Sequence, residues 1–217
     1  MKRNLIIILA AFVLIYSSCK KDSANMTPPS ADSYFPVTAG STWRYLDFTQ
    51  SGTEDTLTIK MTGVKTTING KTYYNATSSS TETGTGTDYF YAANHIYANR
   101  ALNSYAGTTV ELKLFNDTAS VGNSLISSPT DNGLVDSVPS RTVNTIIAKN
   151  LTKTVGGKTF TNVVHTEVDF QYDYSEGYST GFVYDFYLAK GIGMIESQLT
   201  ILGSVYEEEV ILDYSIK

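Results

Sequence analysis

The chain has 217 residues, and 21 acidic against 16 basic residues leave it with a net charge of −5. An acidic chain whose basic residues gather no further than Lys2-Arg3 and Lys20-Lys21 is poorly suited to nucleic acid, so no such partner is expected. Its single cysteine, Cys19, excludes disulfides within the chain and clusters of thiolate metal ligands.

Lys2 and Arg3 precede an unbroken apolar run, Leu5–Ile15, which is too short to span a bilayer and has the form of a secretory h-region. Tyr16-Ser17-Ser18 then leads into Cys19. This resembles the lipobox of bacterial lipoproteins, in which the cysteine receives a diacylglycerol and further acyl chains such as palmitate, and the peptide is cut just before it. The expected organisation is a signal peptide over 1–18, an acylated tether over 19–33 and a β-domain over 34–217. The tether is rich in Ser, Asn, Asp and Pro and holds almost nothing that could enter a core, so as a flexible chain it spans about 20 Å. Lys20-Lys21-Asp22 resembles the short charged signals that send some Gram-negative lipoproteins to the outer cell surface; a tether that is simply polar explains it equally well.

From Tyr34 onward the apolar residues recur with period two, the mark of strands with one buried and one wet face. Trp43 and Tyr45 share a face, as do Leu57, Ile59 and Met61, and then Val110, Leu112 and Leu114. Asn69-Gly70 and Gly156-Gly157 have the chemistry of tight hairpin turns, which need positive φ at both central positions. Gly122–Ser140 is irregular and is read as a long loop with one short strand. Over 162–174, Val164, Thr166, Val168, Phe170, Tyr172 and Tyr174 face one way, and His165, Glu167, Asp169, Gln171 and Asp173 the other. Phe182, Tyr184, Phe186 and Leu188 repeat the apolar face, which predicts a long antiparallel hairpin. Gly203-Ser204 is placed at the last turn, followed by an inward face of Tyr206, Val210, Leu212, Tyr214 and Ile216 interrupted by Glu208. With no sustained helical period, the fold class is all-β: a single antiparallel domain of nine to eleven strands, as a curved sheet, open barrel or sandwich. The stretch 67–75 also echoes 154–162, as two related hairpins would.

Tyr34-Phe35-Pro36-Val37 with Gly40 and Trp43-Arg44-Tyr45 opens the domain, and Tyr187-Leu188-Ala189-Lys190-Gly191-Ile192-Gly193-Met194-Ile195 comes near its end. With Gly157-Lys158-Thr159-Phe160 between them, these stretches resemble a group of uncharacterised exported bacterial proteins, many of them lipoproteins. The resemblance spans nearly the whole domain and implies a β-sheet fold in the cell envelope; it implies no activity. From the residues themselves, Trp43 and Tyr45 are expected to anchor the core, and Gly191 and Gly193 to bend the chain.

Gly-Lys-Thr occurs at 70–72 and 157–159, but Lys65 and Thr152 stand where a phosphate loop needs glycine, and both sites read as hairpins. His95 and His165 are seventy residues apart, so no metal site is expected. Asp169, Gln171 and Asp173 are too widely spaced along a flat strand to wrap a calcium ion. What remains is the density of tyrosine, with Tyr172, Tyr174, Tyr178 and Tyr184 as candidate ligand-binding residues, because a flat ring with a polar tip suits an apolar or glycan ligand. The expected role is therefore a non-catalytic lipoprotein domain without cofactor, anchored to the outer membrane through acylated Cys19. It would bind an apolar or glycan ligand or an envelope protein; the alternative is a structural or assembly component of the envelope.

Replacing Cys19 by Ala removes the acylation site, and two or more acyl chains are what give stable attachment. The alanine variant is expected to shift almost completely to the soluble fraction; pelleting with membranes in high salt would refute the lipoprotein assignment.

Overall fold

The computed structural model describes residues 32–103 and 106–217. Cys19, the signal peptide and nearly all of the tether lie outside the described residues. Those described contain no helix and thirteen strands, more than the nine to eleven expected. The first six are β1 (Thr42–Thr49), β2 (Glu54–Ile68), β3 (Lys71–Ser80), β4 (Gly84–Ala93), β5 (Ile96–Asn103) and β6 (Thr108–Asn116). Two short ones, β7 (Ser124–Ser127) and β8 (Leu134–Val135), lie in the irregular stretch, where one was expected. The rest are β9 (Val138–Val155), β10 (Lys158–Asp173), β11 (Tyr178–Ala189), β12 (Gly193–Ile201) and β13 (Ser204–Ser215).

The strands form one antiparallel sheet in the order β6-β5-β4-β3-β2-β1-β13-β12-β11-β10-β9-β7, with β8 paired to β9 alone. It is two meanders joined where the first long strand meets the last. The sheet curls until β6 lies against β9 and β10, giving a nearly closed barrel instead of a sandwich. The tight turns follow from sequence: Asn69 and Gly70 have φ of 49° and 78°, and Gly156 and Gly157 of 55° and 76°. The echoed hairpins each add a threonine pair across the turn, Thr67 with Thr72 at 3.3 Å and Thr154 with Thr159 at 3.0 Å. At the last turn the residues with positive φ are Leu202 and Gly203, one place earlier than expected, and Leu202 is 94% exposed.

One end of the barrel is closed by the N-terminal segment. Tyr34 meets Tyr97 and Phe115 edge-on, Phe35 meets Phe90 and Tyr97 in the same way, and Tyr97 stacks on Phe115 at 4.9 Å. The even-numbered side of β10 is interior as expected, with Val164, Thr166, Val168 and Phe170 wholly buried. On the outer side His165 is held by Asp185 at 2.6 Å and stacks on Tyr187.

Truncating Phe170 to Ala removes a wholly buried ring and leaves a void, and should cost about 3–5 kcal/mol in a urea titration. Thr166→Val keeps the shape but loses the hydroxyl donor to the Leu114 carbonyl, and should cost about 1–2 kcal/mol. A Thr166→Val variant as stable as the parent would mean that the contact between β6 and β10 does not help close the barrel.

Candidate functional site

The interior is not filled. A cavity of about 420 Å³ runs from the N-terminal plug toward the opposite end, within the usual size of a small-molecule pocket. Its existence follows from register. On β3 to β5 the inward positions toward the mouth are mostly small: Ser78 and Ser80 face Gly86 and Gly84 across the β3–β4 pair, and Ala101 faces Val110 across β5–β6. The remaining walls carry Trp43, Tyr45, Leu57, Ile59, Met61, Leu112, Tyr184 and Phe186, and Phe90 stands farther along β4. Small residues on one wall cannot reach the large ones on the other.

Trp43 and Tyr45 are fixed from below. The Trp43 indole N–H donates to the Ile192 carbonyl at 2.6 Å, and the Tyr45 hydroxyl to the Met194 carbonyl at 3.0 Å. Gly193 between them has φ of 108°, and a Cβ there would lie 3.3 Å from the Trp43 indole nitrogen, so a side chain would be both strained and crowded. The opening and closing stretches of the domain thus meet at the cavity floor, and both sequence expectations for them hold.

Toward the mouth the cavity is acidic. Asp47 on β1 stands directly opposite Glu209 on β13 and Asp55 on β2, so three carboxylates form a row across adjacent strands. Asp88 on β4 and Glu207 on β13 also line the space. Asp55 is satisfied by the β3–β4 turn: it accepts from the Thr81 hydroxyl at 2.7 Å and the Glu82 N–H at 2.8 Å, which hold it at about 2. The others are not so provided. Burial, with Glu207 and Asp47 nearby, raises Glu209 to about 8 although the Ser197 hydroxyl donates to it at 3.0 Å. Burial also raises Asp88 to about 6, and burial with Glu207, Glu82 and Asp55 raises Asp47 to about 6. One oxygen of Asp47 is buried without a hydrogen-bond partner.

This acidic row was not foreseen. Glu208 was expected to be the inward exception on the last strand, whereas the inward residues are Glu207, Glu209 and Ile211. Irregular pairing at Arg44/Tyr45 and at Leu199/Thr200 shifts the parity of β13 against its neighbours, and an unbroken Glu207-Glu208-Glu209 run hides which face is which.

The four candidate tyrosines are not brought together. Tyr184 lines the main cavity, where Asn103 donates to its hydroxyl at 2.9 Å and burial raises its pKa. Tyr172 and Tyr174 stack on one another at 6.0 Å beside a separate, more polar hollow bordered by Val135, Asp136 and Ile201. Tyr178 lies against the Arg141 guanidinium at 4.1 Å. Asp169, Gln171 and Asp173 do not converge on a cation: Gln171 donates to Asp169 at 2.5 Å, and Asp173 accepts the N–H groups of Ser175 and Gly177 in the β10–β11 turn. Among the described residues no group of three or more His, Cys, Asp or Glu is placed to hold a metal ion.

No protein-family model matches the sequence, and no curated protein matches it. Two solved structures share the fold. One, from Bacteroides fragilis, is described as an exported protein with a YmcC-like fold; it is 8% identical, with a TM-score of 0.51 over 82% of this chain and 96% of that one. The other, from Parabacteroides distasonis, is described as a lipoprotein; it is 13% identical, with a TM-score of 0.51 over 86% of this chain and all of that one. At such identities the likeness is one of architecture. Fold and cavity together define a curled antiparallel β-sheet protein with an open interior.

The buried carboxylates set a pH dependence. Asp47, Asp88 and Glu209 hold their protons in the folded state well above the 3.8 and 4.5 at which they ordinarily titrate. The folded chain then binds protons that the unfolded chain has released, so their contribution is full below about pH 4 and is lost as pH rises through 6 and then 8. The melting temperature should accordingly fall between pH 4.5 and 8.5, and Glu209→Gln should flatten the upper part of that fall. A flat profile would mean that these groups are hydrated.

Proposed function

We propose that this chain is a non-catalytic lipoprotein of the bacterial envelope whose barrel interior holds an apolar or amphiphilic ligand. The observation that carries the reading is the 420 Å³ cavity, walled mainly by aromatic and aliphatic side chains and open at one end. A packed core of this size would fill such a void, because unfilled volume costs stability. Here the void is built in by Ser78, Ser80, Gly86 and Ala101, each at an inward register position. Neither His95 nor His165 lines the interior.

Location rests on other support. The N-terminal stretch ending at Cys19 has the order of charge, apolar run and small residues that a lipoprotein signal requires. Of the two structures sharing this fold, one is described as exported and the other as a lipoprotein. Attachment to the outer membrane through acylated Cys19 is the reading that joins these facts. An apolar ligand is favoured over a glycan because the rings suited to stacking, Tyr172 and Tyr174, already face one another, whereas the main cavity is mostly hydrocarbon.

The test uses the neutral apolar dye N-phenyl-1-naphthylamine. It should bind saturably at one per chain and accept energy from Trp43, the only tryptophan, which lines the cavity. Ala101→Phe, which places a ring in the mouth, should weaken binding by at least about tenfold while the chain melts cooperatively. Binding that survives this substitution would place the dye elsewhere and overturn the reading.

A further inference from the structure

The apolar part of the cavity accounts for a ligand's tail but not for its acidic rim. We propose that the ligand is a cationic amphiphile, its tail against Ile59, Met61 and Leu112 and its protonated amine between Asp47 and Glu209. The inference rests on the cavity reading above and names the chemistry of its occupant.

Three observations carry it. Asp47 and Glu209 are direct cross-strand neighbours on the interior face, an arrangement in which like charges destabilise a sheet. A buried oxygen of Asp47 accepts no hydrogen bond, and a buried acceptor left empty is costly unless something donates to it. The lining supplies no donor of opposite charge: it contains Asp47, Asp88, Glu207 and Glu209 but no Lys, Arg or His. An ammonium carries three donors and a full charge, which suits two facing carboxylates. A bare metal ion suits them less, since among the described residues no group of three or more His, Cys, Asp or Glu is placed to hold one.

The wider charge distribution points the same way. Of the turns at the mouth end, 81–83, 136–137 and 174–177 bring Glu82, Asp136 and Glu176, 128–133 brings Asp131, which Arg100 pairs, and 50–53 is uncharged; none of them contains Lys or Arg. Lysines gather toward the opposite end, at Lys71, Lys158, Lys190 and Lys217. A mouth with an excess of acidic side chains draws counter-charged ligands toward the cavity.

The experiment titrates the full chain carrying Cys19→Ser with three water-soluble probes of one chain length, octylamine, octanol and octanoate, following Trp43 fluorescence. Octylamine should bind about tenfold tighter than octanol, and octanoate more weakly than either. In the Asp47→Asn/Glu209→Gln double variant, checked for cooperative melting, octylamine should lose most of that advantage. Should the double variant fail to fold, Asp88→Asn should reduce the same ratio on its own. Equal binding of octylamine and octanol would leave the cavity standing and overturn the cationic ligand, as would preference for octanoate. No response to any of the three would overturn the cavity reading itself, and the inference with it.

Discussion

The interior depends on how an open sheet is brought round on itself. β6 is the terminal strand of the first meander, and its backbone would otherwise be a bare edge, open to pairing with another chain. It is not joined to β9 or β10 by a ladder. Instead the Leu114 carbonyl accepts from Asn144 on β9 and Thr166 on β10, both side chains buried. The Glu111 N–H, on the same strand, donates to the Pro129 carbonyl at 2.7 Å. At Leu114 side chains thus do what main chains do elsewhere, which explains why Asn144 and Thr166 sit in the midst of apolar neighbours. Each would be a liability if unsatisfied. Satisfied, they fix where β6 lies, and with it the width of the cavity.

The second point of closure is the junction of the chain's beginning and end. β1 and β13 pair directly, so segments far apart in sequence become neighbours in the middle of the sheet. Trp43 and Tyr45 reach past β13 to the carbonyls of Ile192 and Met194 at the start of β12. The Gly191 N–H donates to the Ser33 carbonyl at 2.8 Å, tying the same turn to the entering chain. This is the physical content of the two terminal motifs: one supplies donors and rings, the other a turn whose carbonyls face inward because Gly193 can adopt positive φ.

What could be read in the sequence follows from contrast between neighbouring residues. β10 was legible because apolar and polar residues alternate from Val164 to Asp173, β11 because large apolar residues recur at every second position from Phe182 to Leu188, and the glycine turns because few residues take positive φ. β4 was not, since Gly84-Thr85-Gly86-Thr87 has no apolar side to display; the small residues that conceal the strand are also those that make room for the cavity. The acidic row was hidden for a related reason. Period-two reasoning assumes unbroken parity, and the irregularities on either side of β13 remove it, so Glu209 is interior while Glu208 is not among the lining residues. Tyrosine density located part of the site, through Tyr184, but density along a sequence does not say which face or which end of a barrel a ring occupies.

The two ends of the interior are built on opposite principles. At the closed end, Tyr34, Phe35, Tyr97 and Phe115 interlock edge to face, the arrangement by which aromatic rings add stability beyond simple burial. At the mouth, small side chains leave space and carboxylates occupy positions where charge is disfavoured. Nothing in the architecture demands this difference, since the same strands run through both ends and the register at the mouth would accept leucine or valine as readily. Glu209 is the clearest case: an apolar residue there would continue the buried run from Ile211 and would remove a raised carboxylate from the row. A position that works against stability in a fold otherwise well packed is best explained by what enters the space beside it.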